Sequence, residues 1–357
     1  MDHQLRRTAL AARLDEFATD AVLVTALPNV RYLTGFTGSN GAVLVGAAGA
    51  VFMTDGRYIE QSRHEVPDLE REIANEGFDA VVAARATSLG LTHLGFEAAH
   101  VTVAEHDRLA GALGGVDLVP VAGAVEHARR TKDADELQAL GRAQASTDEA
   151  FDDVLDMIEV GMTEQQLAAL LDQTLRRAGA QGLAFDPIVA FGESAAEPHH
   201  EPGHRILEEG DVVKLDFGAR WAGYHADMTR TVAFGAPAAE LRKIHDVVRQ
   251  GQQAGIDAIR AGARAGDVDE AARRVIDDAG YGDRFTHGLG HGVGLEIHEG
   301  PWLRRGSDDV LPAGAVVTVE PGVYVPGLGG VRVEDMVEVT DDGSRVLGTS
   351  SRELIEL

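Results

Sequence analysis

Apolar and polar positions follow two different periods along this chain, and the switches between them mark out its elements. Leu10, Leu14 and Phe17 recur at helical spacing within the charged segment DHQLRRTALAARLDEF, which predicts a first helix. Residues 20–27, DAVLVTAL, read as a buried strand, and GAVLVGAAGAVFMTDGRY, from Gly41, as two more strands joined by a Gly and Ala turn. Residues 80–84 and 94–96 read as short strands, with a helix over 103–113 that starts near Thr102. Beyond residue 126 the pattern becomes a long amphipathic helix with Leu137, Leu140, Phe151, Val154, Leu155 and Ile158 as its apolar positions. The change of character predicts an α/β first domain over 1–126 and a second domain over 127–357.

The second domain contains a worn duplication. IEVGMTEQQLAALLDQTLRRAG, from Ile158, resembles IRAGARAGDVDEAARRVIDDAG, from Ile259, at an offset of 101 residues, and VVKLDFG at Val212 answers VVTVEPG at Val316 at an offset of 104. Asp216 therefore corresponds to Glu320. In the first copy Val213, Leu215 and Phe217 alternate with Val212, Lys214 and Asp216, the period of a strand with one buried face. A hairpin symmetric about Trp221 and Ala222 places Asp216 opposite Asp227, roughly 4.5–5.5 Å apart at Cα. In the second copy symmetry about Gly327 pairs Glu320 with Glu334. Like charges so placed repel unless a cation sits between them, and carboxylates suit a divalent metal.

Composition narrows the chemistry. The formal charge of −26 argues against nucleic acid or an anionic membrane surface as a partner, and the absence of cysteine removes disulfides, thiol nucleophiles and thiolate metal sites. The longest apolar run, residues 42–53, is shorter than the ~20 residues that span a bilayer. The charged N-terminal helix lacks the apolar core of a signal peptide, so a cytoplasmic protein is expected. THGLGHGVGLEIHEGP, from Thr286, has too many glycines for a stable helix and predicts strand and loop that pass close to a ligand. Its His287, His291 and His298, with His199 and His200 of SAAEPHHEPGH, supply imidazoles beside the acids.

On these motifs, residues 127–357 resemble the pita-bread metallopeptidases that include methionine aminopeptidase, aminopeptidase P and prolidase. The resemblance rests on LDFG, HADMTRT, GHGVG, TVEPGVY and VRVEDM. Residues 1–126, with NVRYLTGFTGSNG and MTDGRYIEQ, are similar to the creatinase-type domain of the proline-selective branch. The implied fold class is α/β, of α+β character: a creatinase-like N-terminal domain and a pita-bread domain with a pseudo-two-fold duplication. The implied cofactor is a pair of divalent metal ions held by Asp216, Asp227, His291, Glu320 and Glu334. Manganese is favoured, with cobalt, zinc and iron as alternatives. A bridging hydroxide attacks in that family, with Glu320 relaying the proton; His199, His287 and His298 position the scissile amide and donate to the oxyanion, and Arg332 orients the carboxylates. His200, Tyr324, Trp302 and, from the first domain, Tyr32 are the expected substrate contacts.

The implied activity is hydrolysis of an Xaa-Pro bond in a dipeptide, by a homodimer in which residues 32–36 lean over the partner's site. One departure bears on substrate length. Where relatives carry Arg after the His-Glu pair, the run here is IHEGPWLRR with Trp302 in that place, leaving Arg304, Arg305, Arg31 or Arg57 to grip a free carboxylate. Release of the first residue from longer Xaa-Pro peptides, a broader aminopeptidase and a non-catalytic peptide-binding module are the alternatives.

Overall fold

A computed structural model describes residues 1–357, which divide into two compact units, Met1–Arg129 and Arg130–Leu357. In the first, the buried strand Ala21–Val24 is central to a six-stranded mixed sheet. Gly41–Gly46, Gly49–Thr54 and Glu70–Ile73 extend it on one side, His93–Glu97 and Asp117–Val121 on the other. Thr102 starts the helix Val103–Ala112 with a reciprocal capping box to Glu105. Residues 80–84, expected as a strand, lie instead in the helix Asp79–Leu89. Val82 and Ala86, one helical turn apart, are its buried positions, and they share a core with Leu94 and Leu109. Asn29 donates to Glu126 (2.7 Å) and accepts from Arg129 (2.8 Å), which ties the short helix Glu126–Arg129 to this unit.

The duplication runs through the hydrogen bonds of the second unit. Ala134–Leu155 packs on Glu164–Arg177, and Ala239–Ala258 on Ala265–Asp278. Both second helices are followed by a glycine at positive φ, Gly179 at 92° and Gly280 at 87°, the left-handed position that ends a helix. Gly161 N donates to Leu207 O and Gly262 N to Leu311 O, while Thr163 bridges Ile206 and Arg264 bridges Val310. The cores repeat as well: Leu167, Leu171 and Leu175 pack with Val213 and Leu215, and Val268, Ala272 and Ile276 with Val317 and Val319.

The two hairpins differ in how they meet expectation. Val212–Phe217 is buried on both faces, not one, because Val213, Leu215 and Phe217 enter the core while Lys214 and Asp216 are enclosed on the other side. It pairs with Met228–Ala233 so that Asp216 faces Thr229, not Asp227. The turn is centred on Ala222 and Gly223, both at positive φ (48° and 83°), one residue later than expected. Moving the centre by one residue moves each pairing by two, so Asp227 keeps the same face. Gly218 stands where the returning strand comes closest: a Cβ there would lie 1.8 Å from Ala226 O.

The second hairpin has the expected symmetry about Gly327. Val319 faces Asp335 and Gly322 faces Arg332, leaving Glu320 and Glu334 opposed between them. At both glutamates the ladder opens: Glu320 N donates to Leu289 O (2.8 Å) and Glu334 N crosses to Thr229 O (3.0 Å) in the other half. Thr231 Oγ1 donates to Arg332 O (3.0 Å) and accepts from Arg332 N (3.2 Å), extending this seam.

Candidate active site

The seam brings acids from both copies to one wall of a cavity of about 440 Å³. Asp216, Asp227, His291, Glu320 and Glu334 line it, as do His199, His287, His298, Trp302, Arg304 and Arg332. Oxygens of Asp227 and Glu334 and a nitrogen of His291 lie within 4.8 Å of one another. His291 Nδ1 is 3.0 Å from Gly292 O, which can only accept, so Nδ1 carries the hydrogen and the Nε2 lone pair faces the acids. That nitrogen is 3.4 Å from Glu320 Oε1 and 3.6 Å from Asp227 Oδ2.

Four carboxylates so enclosed are costly without compensation. Burial, then Glu334, Asp216 and Glu320, push the Asp227 carboxyl well above its usual range; burial, then Glu320 and Asp216, do the same to Glu334. Burial also pushes Glu320 up to about 7 and holds His291 down at about 4, keeping that imidazole neutral. Asp216 Oδ1 is buried with no hydrogen-bond partner. An orphaned carboxylate oxygen, three grouped donor atoms and a neutral imidazole with its lone pair turned inward are a donor set that fits divalent cations.

Arg332 organises the wall and is 3% exposed. Its guanidinium pairs with Asp216 and donates to Thr229 Oγ1 (3.0 Å), Pro198 O (3.1 Å) and the Tyr324 hydroxyl (2.8 Å). Thr229 Oγ1 passes its own hydrogen to Glu334 Oε2 at 2.6 Å. His287 departs from its expected role. Its Nδ1 hydrogen goes to Gly288 O (2.7 Å), and burial, then Arg332, hold the ring at about 3, so Nε2 accepts from Tyr324 (2.9 Å). Both nitrogens are thus committed, and neither is left to donate to an oxyanion.

Two expected substrate contacts are corrected. His200 is turned out of the cavity, with Nε2 2.8 Å from Glu164 and Nδ1 2.7 Å from Glu197, since a buried carboxylate attracts it more strongly than an open cavity. Tyr32 is buried in the first unit, with Arg6 stacked 4.0 Å over its ring and its hydroxyl donating to Ala128 O (3.4 Å). Tyr324 lies beneath the cavity as the link between Arg332 and His287. Among the arginines considered for a carboxylate, Arg304 lines the cavity, 6.0 Å over Trp302, and Arg305 does not; Arg57 pairs with Asp55, and Arg31 lies in the helix Leu27–Thr34 of the first unit.

Several supporting residues are not singled out by sequence reasoning. Lys214 is fully buried and its ammonium donates to Ala195 O (3.2 Å) and Glu197 O; burial, then Arg332, lower it to about 7. Thr318 Oγ1 accepts from His291 N (3.1 Å) and reaches Glu320 (3.2 Å). A lysine within the apolar run VVKLDFG is the available signal for the first. For the threonine there is none.

Comparison with known proteins follows the same division of the chain. Residues 138–341 match the model for metallopeptidase family M24, and residues 6–131 that for the creatinase/prolidase N-terminal domain. The chain is 32% identical over 343 residues to the Xaa-Pro dipeptidase of Pyrococcus horikoshii, covering 96% of each. It superposes on the structure of an Xaa-Pro dipeptidase from Bacillus anthracis with TM-score 0.97 at 38% identity, covering 100% of both chains. On an X-Pro aminopeptidase from Thermotoga maritima the TM-score is 0.91 at 34% identity, covering 97% of this chain and 100% of that one. With its acids and imidazole gathered on the seam of a duplicated fold, the chain belongs to metallopeptidase family M24 and carries a creatinase/prolidase N-terminal domain.

Proposed function

We propose that this chain hydrolyses the Xaa-Pro bond of dipeptides with two divalent metal ions; four carboxylates and one imidazole suit manganese, cobalt, iron or zinc, and the family resemblance favours manganese. The observation that carries the reading is the cluster of Asp227, His291 and Glu334 donor atoms beside the orphaned Asp216 oxygen. Asp216 would hold one ion, His291 and Glu320 the other, and Asp227 and Glu334 both. When bound, such a pair supplies the Lewis acidity that makes water nucleophilic near neutral pH.

The remaining chemistry falls to the chain's own groups. Glu320 takes the proton of the attacking water and delivers it to the proline nitrogen as the bond breaks. His199 and His298 line the cavity with no protein hydrogen bond on either ring, so their N–H groups are available to the carbonyl oxygen as charge develops. Burial lowers His298 and keeps it a neutral donor. Phe185, Ile188, Ile297 and Trp302 offer an apolar lining for a pyrrolidine ring. Arg304, the cavity guanidinium with no carboxylate partner, suits a free C-terminus and favours the dipeptide.

Trp302, at the place where relatives grip that carboxylate, favours a second reading, release of the first residue from longer Xaa-Pro peptides. Matched assays on an Xaa-Pro dipeptide and an Xaa-Pro-Xaa tripeptide, with bound metal measured by elemental analysis, separate the two. Dipeptide cleavage that depends on metal is expected; cleavage of the tripeptide alone would overturn the dipeptidase reading.

A further inference from the structure

His199 faces the cavity without a hydrogen bond to hold its ring, so its aim depends on the backbone of residues 195–203. One side of that segment is secured from the seam: Lys214 reaches Ala195 O, Glu197 O and Pro198 O, and Arg332 Nη1 reaches Pro198 O. The other side is secured at the start of a helix, by the bond from Gln165 N to Gly203 O (3.1 Å) and by one buried carboxylate. Glu164, in the first turn of the helix Glu164–Arg177, has a side chain 1% exposed and accepts from Phe191 N (2.9 Å), Gly203 N (2.9 Å) and His200 Nε2 (2.8 Å). His200 is the side chain that joins the histidine pair to this anchor, and its second nitrogen meets Glu197 at 2.7 Å.

We propose that His200 is the positioning residue of His199: by bridging Glu164 and Glu197 it fixes the backbone from which His199 reaches the scissile carbonyl. Pro198 and His199 form a turn that leads straight into His200, so anchoring the His200 ring on the helix fixes the backbone that carries His199 to the cavity. With carboxylates on both nitrogens His200 acts as a double donor, which a neutral ring cannot be. The lysine and arginines nearby are otherwise engaged: Lys214 and Arg332 with carbonyls of the segment, and Arg205 with Glu193 and Asp211.

The inference rests on the hydrolytic reading only through the role of His199, and a double-mutant cycle tests it. On an Xaa-Pro dipeptide, His200→Ala is expected to lower kcat by ~10- to 100-fold, the scale of a reacting group displaced by about an ångström, with bound metal unchanged. His200→Gln, which keeps a donor for Glu164, is expected to recover part of the loss. In a His199→Ala background, His200→Ala should cost nothing further; a full additional loss would overturn the proposal. Hydrogen exchange supplies a readout independent of activity. The Gly203 amide, the one amide of residues 199–203 with an acceptor, should exchange faster in His200→Ala while the rest of the unit is unchanged, and unaltered protection would overturn positioning even if no Xaa-Pro substrate is cleaved. Should His200→Ala fail to fold, Glu197→Gln, at an exposed carboxylate, is expected to loosen the same Gly203 amide, and unaltered protection in that variant would likewise overturn positioning.

Discussion

Two segments carry histidines to the cavity wall, one from each copy of the duplication, and they are anchored by different chemistry. Residues 285–289, bearing His287, are held by Asp269 and Arg273, side chains 1% and 3% exposed and 2.9 Å apart. Arg273 donates to Phe285 O (3.0 Å) and His287 O (2.8 Å), and Asp269 accepts from Leu289 N (3.0 Å). Residues 199–203, bearing His199, are held by Glu164 through His200 and through the Gly203 amide. In both copies the anchor is a buried carboxylate on the second helix. Its cationic partner differs: an arginine stays charged at every working pH, whereas a histidine does not. The rigid anchor serves the histidine whose nitrogens are both committed to protein. The titratable one serves the histidine left free for substrate.

Both anchors make sense only if the acids between them form one working cluster, so the largest effect should come from removing its centre. Asp227→Ala is expected to abolish metal binding, by elemental analysis, and Xaa-Pro hydrolysis, while a cooperative thermal transition remains; full turnover would detach both histidine segments from the acids. Next in size is Arg273→Met, which strands a buried carboxylate and should cost ~3–5 kcal/mol in urea unfolding. A loss near zero would mean that residues 285–289 do not depend on the pair.

The third effect is the pH response that distinguishes the anchors. Burial alone would push His200 down, but its hydrogen bonds to Glu197 and Glu164 outweigh it and hold the ring above its ordinary value. A raised value means that the stabilisation is complete at low pH, below the unfolded histidine's value, and is lost as pH climbs through the folded one. The Gly203 amide, corrected for intrinsic exchange, should therefore lose protection across that interval while the Leu289 amide on Asp269 shows no step. Equal behaviour of the two segments would erase the distinction. The smallest effect is a displacement of that step to lower pH in Glu197→Gln, since one of the two carboxylates raising His200 is gone.

Much of the architecture is legible because it is carried by local pattern. The period-two runs at Val212 and Val316 and the offsets of 101 and 104 residues place corresponding acids on corresponding hairpins. The register of the second hairpin follows from PGLGG, whose Gly327 takes positive φ at the centre of the hairpin. WAGY also has a glycine at positive φ, Gly223, but it shares the turn with Ala222, and an alanine in a left-handed conformation is a poor guide, which is why the first register is misplaced by two residues. AVVAA at residues 80–84 has neither period clearly, and only its packing against Leu94 and Leu109 makes it helical.

By itself, then, the sequence determined the duplication, the acids and imidazoles available and the second hairpin, all properties of residues near one another in the chain. Only the tertiary structure decided which way each polar side chain turns. His200 looks away from the cavity because Glu164, 36 positions earlier, lies buried behind it, and His287 is occupied because Tyr324, 37 positions later, reaches it. A buried polar group goes to whichever partner satisfies it, and that partner is chosen by the folding of distant segments together, not by spacing.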